Sequence, residues 1–133
     1  MEAQGKYDDV KIRKIVIKHS SKGELACKRA FDAAEALGVE PGVIGQYADA
    51  MGLKLVACQL GLFGYRPEKK IVKAAGKVDP ALADVIRENI VNDRLPCRAA
   101  FNIAGEMGLS KMDVSSACEA LGIRVNPCQL GAF

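Results

Sequence analysis

Much of this chain is written twice. Laid without a gap over residues 95–133 (LPCRAAFNIAGEMGLSKMDVSSACEALGIRVNPCQLGAF), residues 25–63 (LACKRAFDAAEALGVEPGVIGQYADAMGLKLVACQLGLF) are identical at thirteen of 39 positions. The shared residues are Leu25/Leu95, Cys27/Cys97, Ala30/Ala100, Phe31/Phe101, Ala34/Ala104, Gly38/Gly108, Ala50/Ala120, Gly52/Gly122, Cys58/Cys128, Gln59/Gln129, Leu60/Leu130, Gly61/Gly131 and Phe63/Phe133. Unrelated segments of this length share about two or three identities by chance. A self-match at fixed period defines the folding unit before any residue is assigned to helix or strand. The unit occurs twice, so the fold is expected to be a duplicated small motif.

The chain divides into a first repeat over residues 1–64, a basic linker over 65–77 and a second repeat over 78–133. Half of its residues are hydrophobic, aromatics are 5% and Trp is absent. Leu, Ile, Val, Ala and Met must therefore fill the core, which suits helices with closely approaching backbones better than stacked sheets. The expected class is all-α with short β segments: two three-helix units related by a pseudo-twofold axis, each closed by its own CQLGxF box. The opening MEAQGKYDDVKIRK is polar, without the apolar run of a secretory signal, and no stretch has the length of a membrane helix. A cytoplasmic location without membrane association is expected, with the five cysteines as reduced thiols or metal ligands.

In the second copy Asp79-Pro80 is a helix start, because Asp can cap orphan amides and Pro fits the first turn. Leu82, Val85, Ile86, Ile90 and Val91 continue it as an apolar stripe, predicting a helix at about 80–92. Its counterpart lies at about 9–20, where KIRKIVIKH also suits a strand. Second helices are predicted near 25–37 and 95–107, stopped by Gly38 and Gly108. Third helices follow near 41–51 and 111–121, with a capping box at Ser110–Asp113 and Pro41 in the first turn of copy one. GLKLVACQL and GIRVNPCQL alternate as short extended segments, and one helical turn is expected at 69–75.

The stretch from Ala100 to Glu119 resembles the helix-turn-helix of bacterial DNA-binding regulators. Ala104 is followed by Gly108-Leu109-Ser110, then by Val114 and Ser115-Ser116-Ala117. A small residue lets the helices cross closely, glycine supplies the turn, and apolar residues at 103, 107, 109 and 114 seal the pair. Copy one repeats the pattern with Ala34, Gly38-Val39 and Ile44. The resemblance implies a small transcription regulator contacting double-stranded DNA. Lys111, Met112, Ser115 and Ser116 would then face the major groove, with Arg98 and Arg124 near phosphates. Copy one offers Glu40, Pro41, Gly42, Gly45 and Gln46 at the matching places, of which Gln46 can make a bidentate contact to adenine. The linker residues Arg66, Lys69, Lys70, Lys73 and Lys77 add phosphate-binding charge.

Charge distribution weighs on the other side. Residues 1–64 carry nine Lys/Arg against eight Asp/Glu (+1), residues 65–77 five against one (+4), and residues 78–133 five against seven (−2). The basicity therefore sits in the linker, whereas a DNA reader usually concentrates it on the recognition lobe. The same helix pair can serve as a packing unit or as a protein-interaction module that binds a partner or a second copy.

The duplication keeps Cys27, Cys58, Cys97 and Cys128, with thirty residues between the members of each pair; Cys118 stands opposite Ala48 and reads as a small apolar residue. The four kept thiols admit three readings: buried core residues, ligands of zinc or an iron–sulfur cluster brought together across the pseudo-twofold, or a redox pair within each repeat. Cys27 and Cys97 open their second helices, where the helix dipole favours thiolate if the sulfur is exposed. No CxxC knuckle occurs, and GLFGY lacks the Lys and Ser/Thr of a phosphate loop. His19 is the sole histidine and reads as a helix end, while Asp8-Asp9 reads as a cap cluster. No nucleophile–base set can be assembled, so an enzyme is not expected. Phe133 is expected to dock the end of the chain on the core.

Overall fold

The computed structural model describes residues 8–132. The chain is mostly helical, with short strands. It forms two compact units: one runs to Cys58 and includes Leu130–Ala132, and the other is Gln59–Gln129. The docking expected of Phe133 lies outside the described residues.

In the first unit α1 (Asp9–His19) starts at Asp8, whose carboxylate accepts from the Lys11 amide at 3.1 Å. Ile12 and Val16, one turn apart on α1, are the residues it buries. The stretch that also suited a strand is helix, because the cap and the 3–4 spacing agree. A two-residue turn with positive φ at Lys22 and Gly23 then leads into β1 (Glu24–Ala26). The chain passes directly into α2 (Cys27–Leu37), turns through Gly38 at φ 67° into α3 (Pro41–Ala50), and ends in β2 (Lys54–Val56). β1 and β2 are parallel, with Leu25 opposite Leu55.

The second unit has the same order. Asp79 caps α4 (Pro80–Glu88), accepting from the Ala81 amide at 2.9 Å. This helix is shorter than predicted: it stops at Asn89, and Asn92 and Asp93 take positive φ in a turn bridged by Val91 and Arg94. Asn and Asp tolerate that conformation better than most residues. β3 (Arg94–Leu95), α5 (Cys97–Met107), α6 (Lys111–Leu121) and β4 (Arg124–Val125) follow, with β3 and β4 parallel. Strands β1 and β3 were not predicted, since three residues or fewer carry no readable period.

The cores use corresponding residues. Ile12, Val16, Leu25, Ala30, Ala34, Ile44 and Ala48 are buried in the first unit; Leu82, Ile86, Leu95, Ala100, Ala104, Val114 and Cys118 are buried in the second. Small residues on α2 and α5 let the third helices cross close to them. The linker holds no helical turn at 69–75; it is irregular, and its Val72 is buried.

The CQLG boxes do not stay whole. Cys58 ends the main segment of the first unit and Gln59 begins the second, whereas Gln129 ends the second and Leu130 belongs to the first. Leu130 is buried there, with its backbone lying over Gly45 of α3. A Cβ at position 45 would overlap the Leu130 carbonyl oxygen and lie 2.9 Å from its carbonyl carbon. Gly45→Ala is accordingly expected to cost about 3 kcal/mol in denaturant unfolding, at the upper end for overpacking because backbone must move. Gly105→Ala, in α5 with nothing within 4 Å of its new methyl, is expected to gain about 0.5–1 kcal/mol from helix propensity.

Candidate functional site

The helix pairs α2/α3 and α5/α6 both turn through a left-handed glycine, Gly38 or Gly108, each at φ 67°. The amide after each glycine returns to the preceding helix: Val39 to the Ala34 carbonyl at 3.0 Å, and Leu109 to the Ala104 carbonyl at 2.9 Å. Ser110 and Asp113 form the predicted capping box, with side chain-to-amide bonds of 3.0 and 3.1 Å. The third helix of copy one starts without a side-chain cap, on Pro41.

The outward side of α6 is largely engaged by its own unit. Ser116 accepts a backbone bond from the Ala75 amide at 3.0 Å, using the second lone pair that a helical carbonyl retains. One turn further on, Glu119 pairs with the Lys70 ammonium at 3.0 Å. At the start of the helix the Met112 methyl sits 3.0 Å from the position a Cβ on Gly61 would take. The Gly61 carbonyl accepts from the Ile71 and Val72 amides at 2.9 and 3.0 Å, folding the segment back on itself. The predicted linker is thus an irregular strap against α6, and Lys70 is spent on a carboxylate rather than offered to phosphate.

Ser115 corrects the sequence-based list. Expected at the major groove, it is 1% exposed, and its hydroxyl has no hydrogen-bond partner among the described residues. Its neighbours Val114, Ala117 and Cys118 define the buried side of α6, and a residue between them cannot reach a DNA groove. Gly45, the corresponding residue of α3, is likewise covered, by Leu130. Lys111 is half-buried, its ammonium 4.9 Å from the Phe101 ring centroid, a cation–π distance. Arg98, Arg124, Lys69, Lys73 and Gln46 are exposed as expected of surface contacts. On α3 the residues matching Ser116 and Glu119 are Gln46 and Asp49, and both are exposed.

α1 and α3 are tied by Tyr47, whose hydroxyl donates to Asp9 at 2.7 Å while Arg13 bonds the same carboxylate at 3.0 Å. The Tyr47 hydroxyl, then Arg13, hold the Asp9 carboxyl below its ordinary range, and the hydrogen bond to Asp9 raises the Tyr47 phenol. His19 closes α1 with Nδ1 2.8 Å from the Ile15 carbonyl oxygen, a helix-end contact.

No disulfide joins the five cysteines. Cys118 is buried, and burial followed by the charge of Glu119 pushes its thiol up to about 11, so it is a packing residue at neutral pH. Cys27 and Cys58 belong to the first unit, Cys97 and Cys128 to the second. A zinc or iron–sulfur centre would need several converging ligands; among the described residues no group of three or more His, Cys, Asp or Glu side chains is placed to hold a metal ion. Cys97 opens α5 and Cys128 follows β4, and the parallel pairing runs on past the strands into them. Asn126 donates to Leu95 at 2.9 Å, Cys97 donates to Pro127 at 3.0 Å, and the Gln129 amide donates to the Cys97 sulfur at 3.6 Å. Beside this junction lies an open cleft of about 330 Å³ lined by Arg94, Pro96, Asn126 and Pro127. A cleft of about 290 Å³ occupies the matching place in the first unit, among His19, Lys22, Glu24, Ala26, Arg29 and Val56. Sequence reasoning singled out neither cleft; the common position of Pro96 and Ala26 just before their helices was the available signal.

No protein-family model, curated protein or solved structure matches the chain. No helix among the described residues is long and apolar enough to cross a membrane.

Two outcomes test the site. Ser115→Ala should raise stability by about 1 kcal/mol in thermal or denaturant unfolding, because it removes a buried hydroxyl without a partner among the described residues. Tyr47→Phe should weaken the fold above the carboxylate range and flatten its acid limb. A carboxylate with a depressed folded-state pKa stabilises above its unfolded pKa, and that stabilisation is lost as pH falls through the folded value. Stability measured between about pH 2 and 6 reads the difference.

Proposed function

We propose that this chain is a non-enzymatic interaction module, made of two tandem three-helix, helix-turn-helix-like units related by an intramolecular pseudo-twofold, whose third helices hold peptide segments. The observation that carries this reading is the strap on α6: a backbone bond from Ala75 to Ser116 and an ion pair from Lys70 to Glu119 occupy the face that base reading would need bare. Leu130 against Gly45 supports the same habit in the first unit, where the backbone of a turn lies on α3. Main-chain bonds give such docking its affinity and charged side chains give it register.

The module's partner would be a protein segment, from another protein or from a second copy of the chain. The exposed Gln46 and Asp49 on α3 repeat the acceptor pattern of Ser116 and Glu119, which favours a basic segment there. Duplex DNA is the second reading, favoured by the exposed Arg98, Arg124, Lys69 and Lys73. In that case the contacts would be to phosphate and the affinity would fall steeply with salt. Either role fits a cytoplasmic protein.

A synthetic peptide of residues 59–77, titrated into the full chain by calorimetry or fluorescence anisotropy, separates the two. Saturable binding that Asp49→Lys weakens by about tenfold or more, as loss of a charge pair plus repulsion would give, is the expected result. No peptide binding, together with retention of duplex DNA that declines with salt, would replace the docking reading with the DNA reading.

A further inference from the structure

We propose that Cys97 and Cys128 are a thiol–disulfide pair, with Cys128 the sulfur that meets an external disulfide and Cys97 the sulfur that resolves it. The inference does not rest on the docking role, and it starts from backbone geometry. The Cys97 amide donates to the Pro127 carbonyl at 3.0 Å, and Pro127 is joined directly to Cys128. One N–Cα bond on one side and one peptide unit on the other hold the two Cα atoms within about 7 Å. Disulfides span Cα separations of about 4.4–6.8 Å, so this bound brings the pair to the range in which a disulfide can form.

The surroundings distinguish the two sulfurs. Cys128 is half-buried and adjoins Pro127, which lines the open cleft of the second unit. Cys97 is 4% exposed, at the first position of an eleven-residue helix whose N-cap, Pro96, provides no side-chain cap. The helix dipole and the Gln129 amide at 3.6 Å both favour negative charge on its sulfur. Thiol–disulfide exchange requires an exposed sulfur to be attacked or to attack first and a nearby thiolate to complete the step. Here Cys128 is the more accessible of the two residues and Cys97 lies next to it in the ladder. The arrangement also gives a chemical role to Gln129, which the duplication retains beside the cysteine.

The oxidant is a low-molecular-weight disulfide, RSSR. Cys128 thiolate attacks one sulfur of RSSR, forming a Cys128–SR mixed disulfide and releasing RS⁻. Cys97 thiolate then attacks the Cys128 sulfur, forming the Cys97–Cys128 bond and releasing the second RS⁻. The two thiolates released take up the two protons given up by the cysteines, so protein dithiol and RSSR become protein disulfide and two RSH. A dithiol reductant reverses the sequence.

The test uses the full chain with glutathione disulfide, quenched by acid and read by mass spectrometry and peptide mapping. Expected is the loss of two hydrogens, a Cys97–Cys128 cross-linked peptide, and reversal by dithiothreitol. In Cys97→Ser the glutathione adduct should accumulate on Cys128, while in Cys128→Ser modification of Cys97 should slow by about tenfold or more, since its sulfur is buried. Cys27 and Cys58 should lag, because Cys58 is 4% exposed where Cys128 is half-buried. A wild-type chain that stays reduced, that holds glutathione on Cys128 without closing, or that links other cysteines first would overturn the proposal. The wild-type map decides this even if a variant fails to fold.

Discussion

The carbonyl of Leu130 occupies the space that any side chain at position 45 would need. That close approach of two backbones fixes much of what surrounds it. It seats a buried leucine of the second CQLG box in the first unit, and it requires α3 to carry glycine in the middle of a helix, where glycine is otherwise unfavourable by roughly 0.5–1 kcal/mol relative to alanine. The second unit meets a related demand differently. There Gly61, at φ 74°, sits against Met112 and Val72, while the position corresponding to Gly45 holds the buried Ser115.

The strap along α6 has the larger consequence for function. A helix-turn-helix is recognised in sequence by what seals its two helices together, and both units possess those features. Whether the outer face of the second helix is bare is a separate matter, decided by whatever lies upon it. In the second unit that is the stretch from Gly61 to Ala75, whose Lys70 neutralises Glu119 and whose Val72 is buried. Among the basic residues that look like a phosphate-binding linker in a charge count, Lys70 is paired with Glu119, while Lys69 and Lys73 are exposed.

The thiols follow the same division between packing and chemistry. Cys118 stands where the first copy has Ala48, and both are buried, so a cysteine there serves as a slightly larger alanine. Cys97 instead bonds Pro127, the neighbour of Cys128, through the continuation of a parallel strand pair, with the Gln129 side-chain amide on its sulfur. A two-residue strand pair is a small device, yet it brings together residues that thirty others separate in the sequence.

From its sequence alone the chain determined its helices, its stops and its small-residue crossings. Asp79-Pro80, Ser110 with Asp113, Gly38 and Gly108 act within a few residues of themselves, so their effects are legible without a partner. Tertiary structure decided the rest: that Leu130 joins the first unit, that Ser115 turns inward while Ser116 offers its carbonyl to Ala75, and that the linker packs irregularly against α6 instead of forming a turn of helix. Those outcomes depend on which surfaces compete to be covered, and competition between segments far apart in the chain leaves no local period to read.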